Sequence, residues 1–280
     1  MSQQILAIHD ISCIGRCSLT VALPIISSAG IETSILPTAI LSTHTGGFTD
    51  FTFRDLTQDM LPITKHWQSL DITFSGIYSG YLGSIEQIDI VKTIFQQFQK
   101  TANLICVDPV MGDAGVLYNN FSADFPKSMS KLCEVADIII PNMTEAALLL
   151  EIPYKEPPYT AEYIEEILKK LAELGPKMVC LTGVSLSPKQ TGAALYVKET
   201  TKTIYAFSEK ISGFYHGTGD LFASSLFAML INGIELETAL TFAVQFTHAC
   251  ILRTKNAGTD ERFGVHFEQE LNQITEFFKK

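Results

Sequence analysis

Short apolar runs rich in β-branched residues alternate with longer amphipathic stretches from the start of the chain to about residue 190. This alternation predicts βαβ units around a mostly parallel sheet, because continuous apolar runs are typical of strands buried on both faces. The predicted strands are residues 5–8, 33–36, 72–75, 104–107, 138–140 and 179–181. The predicted helices between them are residues 20–29, 85–99, 123–133, 144–150 and 161–174.

The pattern changes after residue 190. Residues 193–197 and 203–207 flank a polar turn and predict an antiparallel hairpin. Helices are predicted at residues 221–231, 236–253 and 267–278. The proline-rich stretch at 153–158 lies between two predicted helices of the βαβ pattern, so we interpret it as a loop and residues 1–280 as one domain.

Charge and hydropathy narrow the class of protein. The chain has 20 Lys or Arg and 30 Asp or Glu, a net charge of −10, and no basic run, which argues against nucleic-acid binding. No apolar stretch reaches the roughly 18 to 20 residues of a membrane span, and the N-terminus lacks a basic signal-peptide region. We therefore expect a soluble, cytoplasmic protein. The six cysteines form no CxxC pair, which predicts reduced thiols.

Polar residues follow several predicted strands, and ligands of open parallel sheets bind at the carboxyl ends of strands. Asp10 and Ser12 follow the first strand, and a glycine-rich segment at 76–83 follows the third. Asp108 and Asp113 follow the fourth strand in the sequence Asp-Pro-Val-Met-Gly-Asp. The alternative is that Asp108, before Pro109, initiates a turn and that Asp113, next to Gly112, is a turn residue.

The sharpest motif is Gly217-Thr218-Gly219-Asp220, immediately before the apolar run at 221–231. Glycines at the start of a helix let backbone N–H groups converge on an anion, and the helix dipole favours negative charge there. Asp220 would then be placed to accept a proton from a hydroxyl that attacks a phosphoryl group. Helix N-capping by Asp220 is the alternative.

A second motif is Asn142-Met143-Thr144-Glu145 after the strand at 138–140. Asn at the N-cap with Glu three residues later is a capping box. In the functional interpretation, Glu145, Asp108 and Asp113 supply oxygen atoms to a hydrated magnesium ion that bridges the nucleotide phosphates. Tyr81 and the His44-Thr45 loop are candidates for contacts with a flat ring, and sheet-edge packing and loop polarity are the structural alternatives.

Together, these motifs resemble the ribokinase-like superfamily. Within it, Thr43-His44-Thr45 and the segment at 79–84, Ser-Gly-Tyr-Leu-Gly-Ser, are similar to the vitamin B6 kinases, and the likeness runs from residue 5 to about residue 233. The resemblance implies an α/β/α sandwich, a homodimer, and transfer of phosphate from ATP to the 5′-hydroxymethyl group of pyridoxal, pyridoxamine or pyridoxine. It implies Mg²⁺ as a cofactor and leaves a need for K⁺ open.

The resemblance also implies roles for individual residues. Asp220 would be the base, with Gly217, Thr218 and Gly219 as the anion hole. Asp108, Asp113 and Glu145 would hold the metal, directly or through water. Nucleotide contacts would come from Asp108, Asn142, Glu145, Thr182 and Gly183. The B6 vitamer would contact Asp10, Ser12, Thr45, Gly46 and Tyr81.

Many B6 kinases have Ser at the position of Asp10, and Ser12 is the nearest serine here. Asp10 pairing with a pyridinium nitrogen or with the amine of pyridoxamine is one hypothesis. Hydroxymethylpyrimidine kinases of thiamine synthesis are the nearest alternative, although they usually have Cys where this chain has Asp220. A sugar kinase of the superfamily and a non-catalytic B6-binding protein are more distant alternatives.

Overall fold

The computed structural model describes residues 3–279, and in this part of the chain nine helices flank a nine-stranded sheet. The first elements are β1 (Gln4–Ile14), α1 (Leu19–Ser28), β2 (Glu32–Thr43), β3 (Phe53–Asp55), α2 (Thr57–Ser69), β4 (Gly76–Ser79), α3 (Ile85–Phe98), β5 (Leu104–Val107), β6 (Gly112–Asp113), β7 (Val116–Leu117) and α4 (Phe125–Cys133). There follow β8 (Ile138–Ile139), α5 (Met143–Leu149), α6 (Ala161–Glu173), β9 (Met178–Val184), β10 (Gln190–Val197), β11 (Lys202–Glu209), α7 (Thr218–Ile231), α8 (Leu236–Ala257), a 3-10 turn (Glu261–Phe263) and α9 (Leu271–Phe278).

The sheet is mostly parallel, as predicted. Its strand order is β11-β10-β9-β8-β5-β4-β1-β2-β3. The six strands from β9 to β2 in this order pair in parallel, whereas β3 at one edge and the β10–β11 hairpin at the other pair antiparallel. The carboxyl ends of the parallel strands therefore meet at one edge of the sheet, while β6 and β7 form a separate small hairpin.

Two hydrophobic cores, one on each face of the sheet, make the three-layer α/β/α sandwich. One core packs α1, α7, α8 and α9 against the sheet. The other packs α2, α3, α4, α5 and α6 against the opposite face. Strand side chains alternate between the faces, so in β1 Ile5 and Ala7 enter the first core and Leu6 and Ile8 the second. Burial on both faces explains the continuous apolar runs in the sequence.

Local signals set several helix ends. Ser84 caps α3 by accepting from the Gln87 N–H at 3.2 Å, and Thr160 caps α6 by accepting from the Tyr163 N–H at 3.2 Å. Gly258, with φ of 61°, ends α8 in the left-handed conformation. Within residues 3–279, no helix is both long and apolar enough to cross a bilayer.

Several features differ from the prediction. Strand β2 continues to Thr43, α9 begins at Leu271, and the short strands β3, β6 and β7 were not predicted. The third strand lies at Gly76–Ser79, four residues later than expected, because this segment pairs with both β1 and β5. Strand β1 continues to Ile14, so Asp10 and Ser12 lie within it. Helix α2 was not predicted, since only Thr57, Met60 and Thr64 of it are buried and its apolar stripe is thin.

Candidate active site

One cleft of about 740 Å³ lies at the carboxyl ends of the parallel strands. It contains nearly all of the residues that the sequence singled out, although they come from distant parts of the chain. The predicted site residues in its wall are Asp10, Thr45, Gly46, Tyr81, Asp108, Asp113, Asn142, Glu145, Thr182, Gly183, Gly217, Thr218, Gly219 and Asp220. Ser12 differs, because it is fully buried and is not part of the cleft wall.

Helix α7 begins in this wall with Gly217 as its N-cap residue. Gly217 has φ of 77°, and a Cβ atom on it would lie 2.1 Å from the Arg16 carbonyl oxygen, so only glycine fits. A Cβ atom on Gly219 would meet nothing within 4 Å. The first N–H groups of a helix have no acceptor within it, so the start of α7 is an electropositive edge open to an anion.

Asp220 is the third residue of α7 and not its N-cap, so the capping alternative is wrong for this residue. Its Oδ2 atom accepts a hydrogen bond from the Ser18 N–H at 2.8 Å. The pKa of Asp220 is raised to about 7, mainly by burial and to a smaller extent by the charge of Asp10, against the opposing effect of the Ser18 hydrogen bond. A carboxyl group with this pKa can exchange a proton near neutral pH.

Asp108 and Glu145 form a buried acidic pair, 6% and 3% exposed. Burial raises the pKa of Asp108 well above its usual value, and the charges of Glu145 and Asp220 add to the effect. Burial also raises the pKa of Glu145 to about 8, against hydrogen bonds from the N–H groups of Asn142 and Met111. Each carboxylate thus lies where a cation would be strongly stabilised.

The capping interpretation of Asn142 and Glu145 is confirmed. Asn142 Oδ1 accepts from the N–H groups of Thr144 and Glu145, and the Glu145 side chain accepts from the Asn142 N–H. The Asn142 amide also donates to the Gly112 carbonyl at 2.9 Å. Asp113 is a turn residue of the β6–β7 hairpin, where it accepts from the Ala114 N–H at 2.8 Å and remains exposed. Glu145 and Asp113 have these structural roles and also line the cleft.

At the opposite end of the cleft, Asp10 is 4% exposed and accepts a hydrogen bond from Ser12 Oγ at 3.2 Å. Burial raises the pKa of Asp10, while hydrogen bonds from Ser18 and Ser12 lower it. Ser12 therefore lies behind the cleft wall and binds Asp10 from there. Tyr81 lies beside them, and its hydroxyl accepts from the Asn120 amide at 2.7 Å.

The loop with Thr45 and Gly46 is held by two histidines. His44 Nδ1 accepts from the Gly46 N–H at 3.1 Å, and His44 Nε2 lies 2.6 Å from the Arg262 carbonyl oxygen. The His216 ring fills the space of a side chain at Gly46, since a Cβ atom there would lie 2.7 Å from His216 Cε1. Thr45 itself is exposed at the cleft. His216 therefore joins this loop to the start of α7.

Thr182 and Gly183 lie at the end of β9, beyond the acidic pair. Thr182 Oγ1 is 3.5 Å from the Pro141 carbonyl oxygen, and Gly183 is exposed with φ of 69°. This end of the cleft is completed by side chains from β11 and α8, including Glu209, Val244, Thr247, His248 and Ile251. It offers a second, partly apolar compartment next to the start of α7.

The cleft is strongly acidic. Its wall carries six carboxyl side chains and no Lys or Arg among the residues described. In residues 3–279, no group of three or more His, Cys, Asp or Glu side chains is arranged to hold a metal ion by itself. An anionic ligand would have to enter with a cation, and the protein would supply only part of that cation's ligands.

Comparison with known proteins matches this geometry. A family model described as phosphomethylpyrimidine kinase matches residues 25–264. The chain belongs to this kinase family. A Bacteroides thetaiotaomicron protein provisionally described as a phosphomethylpyrimidine kinase, and solved with pyridoxal, is 39% identical. The two structures superpose with a TM-score of 0.93 over 98% of this chain and 96% of the other.

Two pyridoxal kinases are also similar to this member of the phosphomethylpyrimidine kinase family. The crystal structure of the Lactobacillus plantarum enzyme is 33% identical and has a TM-score of 0.90 over 99% of this chain and 98% of that one. Pyridoxal kinase PdxY of Proteus mirabilis is 30% identical over 196 residues, which are 64% of this chain and 63% of that protein, less than two thirds of its length. The fold is therefore ribokinase-like, and the family is one of phosphotransferases that act on an alcohol group.

Several wall residues of this kinase were missed in the sequence. Ser18 supplies the N–H for Asp220, and its position just before the apolar run of α1 was the available signal. Cys17, Tyr118, Phe214 and His216 line the cleft without forming a motif. They reach it from loops whose course depends on the packing of α7, the β6–β7 hairpin and the 3-10 turn, which no local pattern encodes.

Proposed function

We propose that this chain is an ATP-dependent B6 kinase that phosphorylates the 5′-hydroxymethyl group of pyridoxal, pyridoxamine or pyridoxine. The observation that carries the proposal is Asp220 in the first turn of α7, in the same cleft wall as the open N–H groups of that helix and as Asp10 and Tyr81. Two relatives that bind or act on pyridoxal share this architecture over nearly the whole chain.

In the proposed reaction, Asp220 is the general base. The Ser18 N–H fixes its Oδ2 atom, which leaves Oδ1 to accept the proton of the substrate hydroxyl. With a pKa near 7, about half of Asp220 is ionised in neutral solution, and the ionised form is basic enough to take that proton as the hydroxyl oxygen attacks the γ-phosphorus. The N–H groups at Gly217, Thr218 and Gly219 would stabilise charge on the transferred phosphoryl oxygens.

The acidic pair fits a magnesium ion. Asp108 and Glu145 are buried carboxylates whose mutual repulsion a divalent cation would relieve, and hard oxygen ligands are those that Mg²⁺ prefers. With Asp113 at the cleft edge, they would hold it through its water shell and the nucleotide phosphates. The ion would neutralise phosphate charge that no Lys or Arg of the wall offsets. A K⁺ ion is a further proposal on the same charge argument.

The two ends of the cleft take the two substrates. The vitamer ring would lie between Asp10, Thr45, Gly46 and Tyr81, with Ser12 holding Asp10 in place. The nucleotide would extend from the start of α7 past Asn142 towards Thr182 and Gly183, and its base would enter the compartment formed by β11 and α8. We also propose one domain, a homodimer and a cytoplasmic location, to be tested by light scattering and fractionation.

A hydroxymethylpyrimidine kinase is the second candidate. The matching family model is described as a kinase of phosphomethylpyrimidine, and an Aquifex aeolicus relative, 27% identical, is named hydroxymethylpyrimidine/phosphomethylpyrimidine kinase. The Asp10 carboxylate could accept hydrogen bonds from an aminopyrimidine as readily as from a pyridinium N–H. Binding of a vitamer without turnover is a distant third. Retention of Asp220 together with the acidic pair argues against that last possibility.

The deciding experiment is ATP-dependent phosphorylation of pyridoxal, pyridoxamine, pyridoxine and hydroxymethylpyrimidine, measured side by side. We expect turnover of the B6 vitamers by the wild-type protein and none above background with Asp220→Asn. Turnover of hydroxymethylpyrimidine alone would show that the protein phosphorylates the thiamine precursor and not the B6 vitamers. Vitamer binding by calorimetry without ADP formation would overturn the kinase assignment.

A further inference from the structure

One polar side chain buried behind the cleft has no part in the proposed reaction. Gln87 lies in the first turn of α3, it is fully buried, and it is not part of the cleft wall. Glutamine is mostly an exposed residue, and an amide is buried without a large cost only where its polar groups find partners. The partners of Gln87 therefore indicate what its side chain does.

The amide of Gln87 joins three separate segments of the chain. Its Oε1 atom accepts from the Gly83 N–H at 2.8 Å, and its Nε2 atom donates to the Thr38 carbonyl oxygen at 3.0 Å and to Thr57 Oγ1 at 2.9 Å. A backbone N–H requires an acceptor and a carbonyl oxygen requires a donor, so these two partners fix which way the amide points. Gln87 thus binds the loop before α3, strand β2 and the start of α2.

The loop bound through Gly83 carries Tyr81 into the cleft wall. Residues 80–84 belong to neither β4 nor α3, so no regular hydrogen-bond pattern sets their course. The Gly80 N–H donates to a β1 carbonyl oxygen at 3.1 Å, and the Gly83 N–H donates to Gln87. Tyr81 therefore lies between two hydrogen-bonded points of the backbone, one on each side.

A second contact reaches the same loop from β2. Thr38 is fully buried, and its Oγ1 atom donates to the Tyr81 carbonyl oxygen at 3.4 Å, while its own carbonyl oxygen accepts from Gln87. These contacts form a closed ring, which runs from Gln87 to Thr38, then to Tyr81, and through Gly83 back to Gln87. A closed, buried set of hydrogen bonds restricts the loop more than any one of its members would.

Strand β2 also supplies other residues at the proposed vitamer end of the cleft. Leu41 lines the cleft from this strand, and Thr45 and Gly46 follow shortly after its end at Thr43. Gln87 binds both β2 and the Tyr81 loop, so it fixes the position of these two parts of the wall relative to each other.

We propose that Gln87 is a positioning residue, which holds the Tyr81 loop against β2 and so sets the shape of the cleft where the flat ring of the substrate alcohol binds. The inference rests on the proposed function for the identity of that ring. Gln87 acts through Tyr81 and β2, at the end of the cleft away from the proposed nucleotide contacts. Its loss should therefore weaken binding of the alcohol and leave binding of ATP nearly unchanged.

Gln87→Met tests this, with Gln97→Met as the matched control. Gln97 lies on the same helix and outside the cleft wall, and its buried Oε1 atom has no hydrogen-bond partner among residues 3–279. We expect Gln87→Met to raise KM for the alcohol at least about tenfold with KM for ATP within about threefold, and Gln97→Met to keep both within about twofold. Equal KM values for the alcohol in the two variants, or a parallel rise in both KM values of Gln87→Met, would overturn the inference.

The second contact gives a test that leaves Gln87 in place, and it decides the matter if Gln87→Met does not fold. Thr38→Val removes the hydroxyl that binds the Tyr81 carbonyl oxygen, whereas Thr38→Ser keeps it. We expect Thr38→Val to raise KM for the alcohol at least about threefold and Thr38→Ser to restore it to within about twofold of the wild type. The same KM in both Thr38 variants would count against the closed ring of contacts.

Dependence on Tyr81 separates positioning from general loss of stability. In a Tyr81→Leu background, Gln87→Met should raise KM for the alcohol by less than about threefold, because the residue that it positions is already gone. An undiminished rise in that background would show that Gln87 acts elsewhere. The assay uses whichever of the four alcohols the wild-type protein phosphorylates, so a wrong vitamer assignment is seen separately.

A readout that needs no turnover is ¹⁹F NMR of protein labelled with 3-fluorotyrosine. The Tyr81 resonance, assigned by its loss in Tyr81→Phe, should shift in Gln87→Met and stay in place in Gln97→Met. An unmoved Tyr81 resonance in Gln87→Met would contradict the proposed positioning. If the wild-type protein phosphorylates none of the four alcohols, the proposed function fails, and this resonance still tests the role of Gln87.

Discussion

Replacing Asp220 by Asn should raise stability and abolish activity, and the stability effect should depend on pH. Asn is nearly isosteric and its side-chain oxygen can still accept the Ser18 hydrogen bond. What disappears is a carboxyl group whose pKa burial raises from 3.8 to about 7. This difference between the unfolded and folded pKa corresponds to roughly 4 kcal/mol, and residual solvent contact of the partly exposed side chain makes this an upper value.

The sign follows from proton binding. Between pH 3.8 and about 7 the folded protein holds the Asp220 proton more tightly than the unfolded chain, so wild-type stability falls as the pH rises through this window. The Asn variant lacks this dependence. Its advantage over the wild type should be small near pH 4.5 and should grow by at most about 1.4 kcal/mol per pH unit until pH 7.

Urea unfolding at pH 4.5, 6 and 8 measures the effect, and the exposed Asp89→Asn on α3 is the control for removing one acidic charge. A stability gain equal at all three pH values would refute the electrostatic reasoning. In kinetics, loss of a general base predicts a fall in kcat of about 10²–10⁴-fold. In the wild type, ionisation of Asp220 should give kcat/KM an acidic limb near pH 7. A variant retaining more than a tenth of the activity would refute the role of Asp220 as base.

Three further substitutions test other parts of the site. Gly217→Ala should lower stability and activity together, because its Cβ would meet the Arg16 carbonyl oxygen. Gly219→Ala has open space at its Cβ, so it should fold normally and lose only ATP turnover. Equal melting temperatures of the two variants would contradict the expected loss of stability in Gly217→Ala. Glu145→Gln should raise the Mg²⁺ concentration needed for half-maximal activity several-fold. It should retain the fold, since Gln can still accept a hydrogen bond from one of the N–H groups of Met111 and Asn142. An unfolded variant, seen by circular dichroism, would show that Glu145 acts in helix capping alone. Asp10→Ser should lower kcat/KM for pyridoxamine at least fivefold more than for pyridoxal, because the buried Asp10 carboxylate has no Lys or Arg beside it in the cleft wall and would bind the amine of pyridoxamine. An unchanged ratio of the two kcat/KM values would rule this out.

Motifs whose hydrogen bonds and backbone conformation involve only residues a few positions apart could be predicted from the sequence. The capping box at Asn142 and Glu145 is where its spacing predicted, since an N-cap requires only residues three positions apart. The helix after Gly217 was likewise predicted, because an apolar run is a local property.

Other features depended on contacts distant in sequence. The sequence allowed Asp220 to be a helix N-cap, and only the structure excludes this, because Gly217 is the N-cap residue. The Asp220 carboxylate instead accepts a hydrogen bond from the Ser18 N–H, which lies some 200 positions earlier in the chain. Ser12 was predicted to contact the ligand, but the extension of β1 turned it inwards beneath Asp10. The shifted third strand shows the same limit, since its register follows from pairing with β1 and β5 rather than from its own apolar residues.

The sequence by itself determined the βαβ order, the acidic character and the glycine-rich start of α7, because periodicity, charge and backbone freedom are properties of short segments. Only the tertiary structure decided which carboxyl groups share one buried cleft, and therefore which of them have raised pKa values. Desolvation and mutual repulsion depend on these three-dimensional distances, which no local pattern contains.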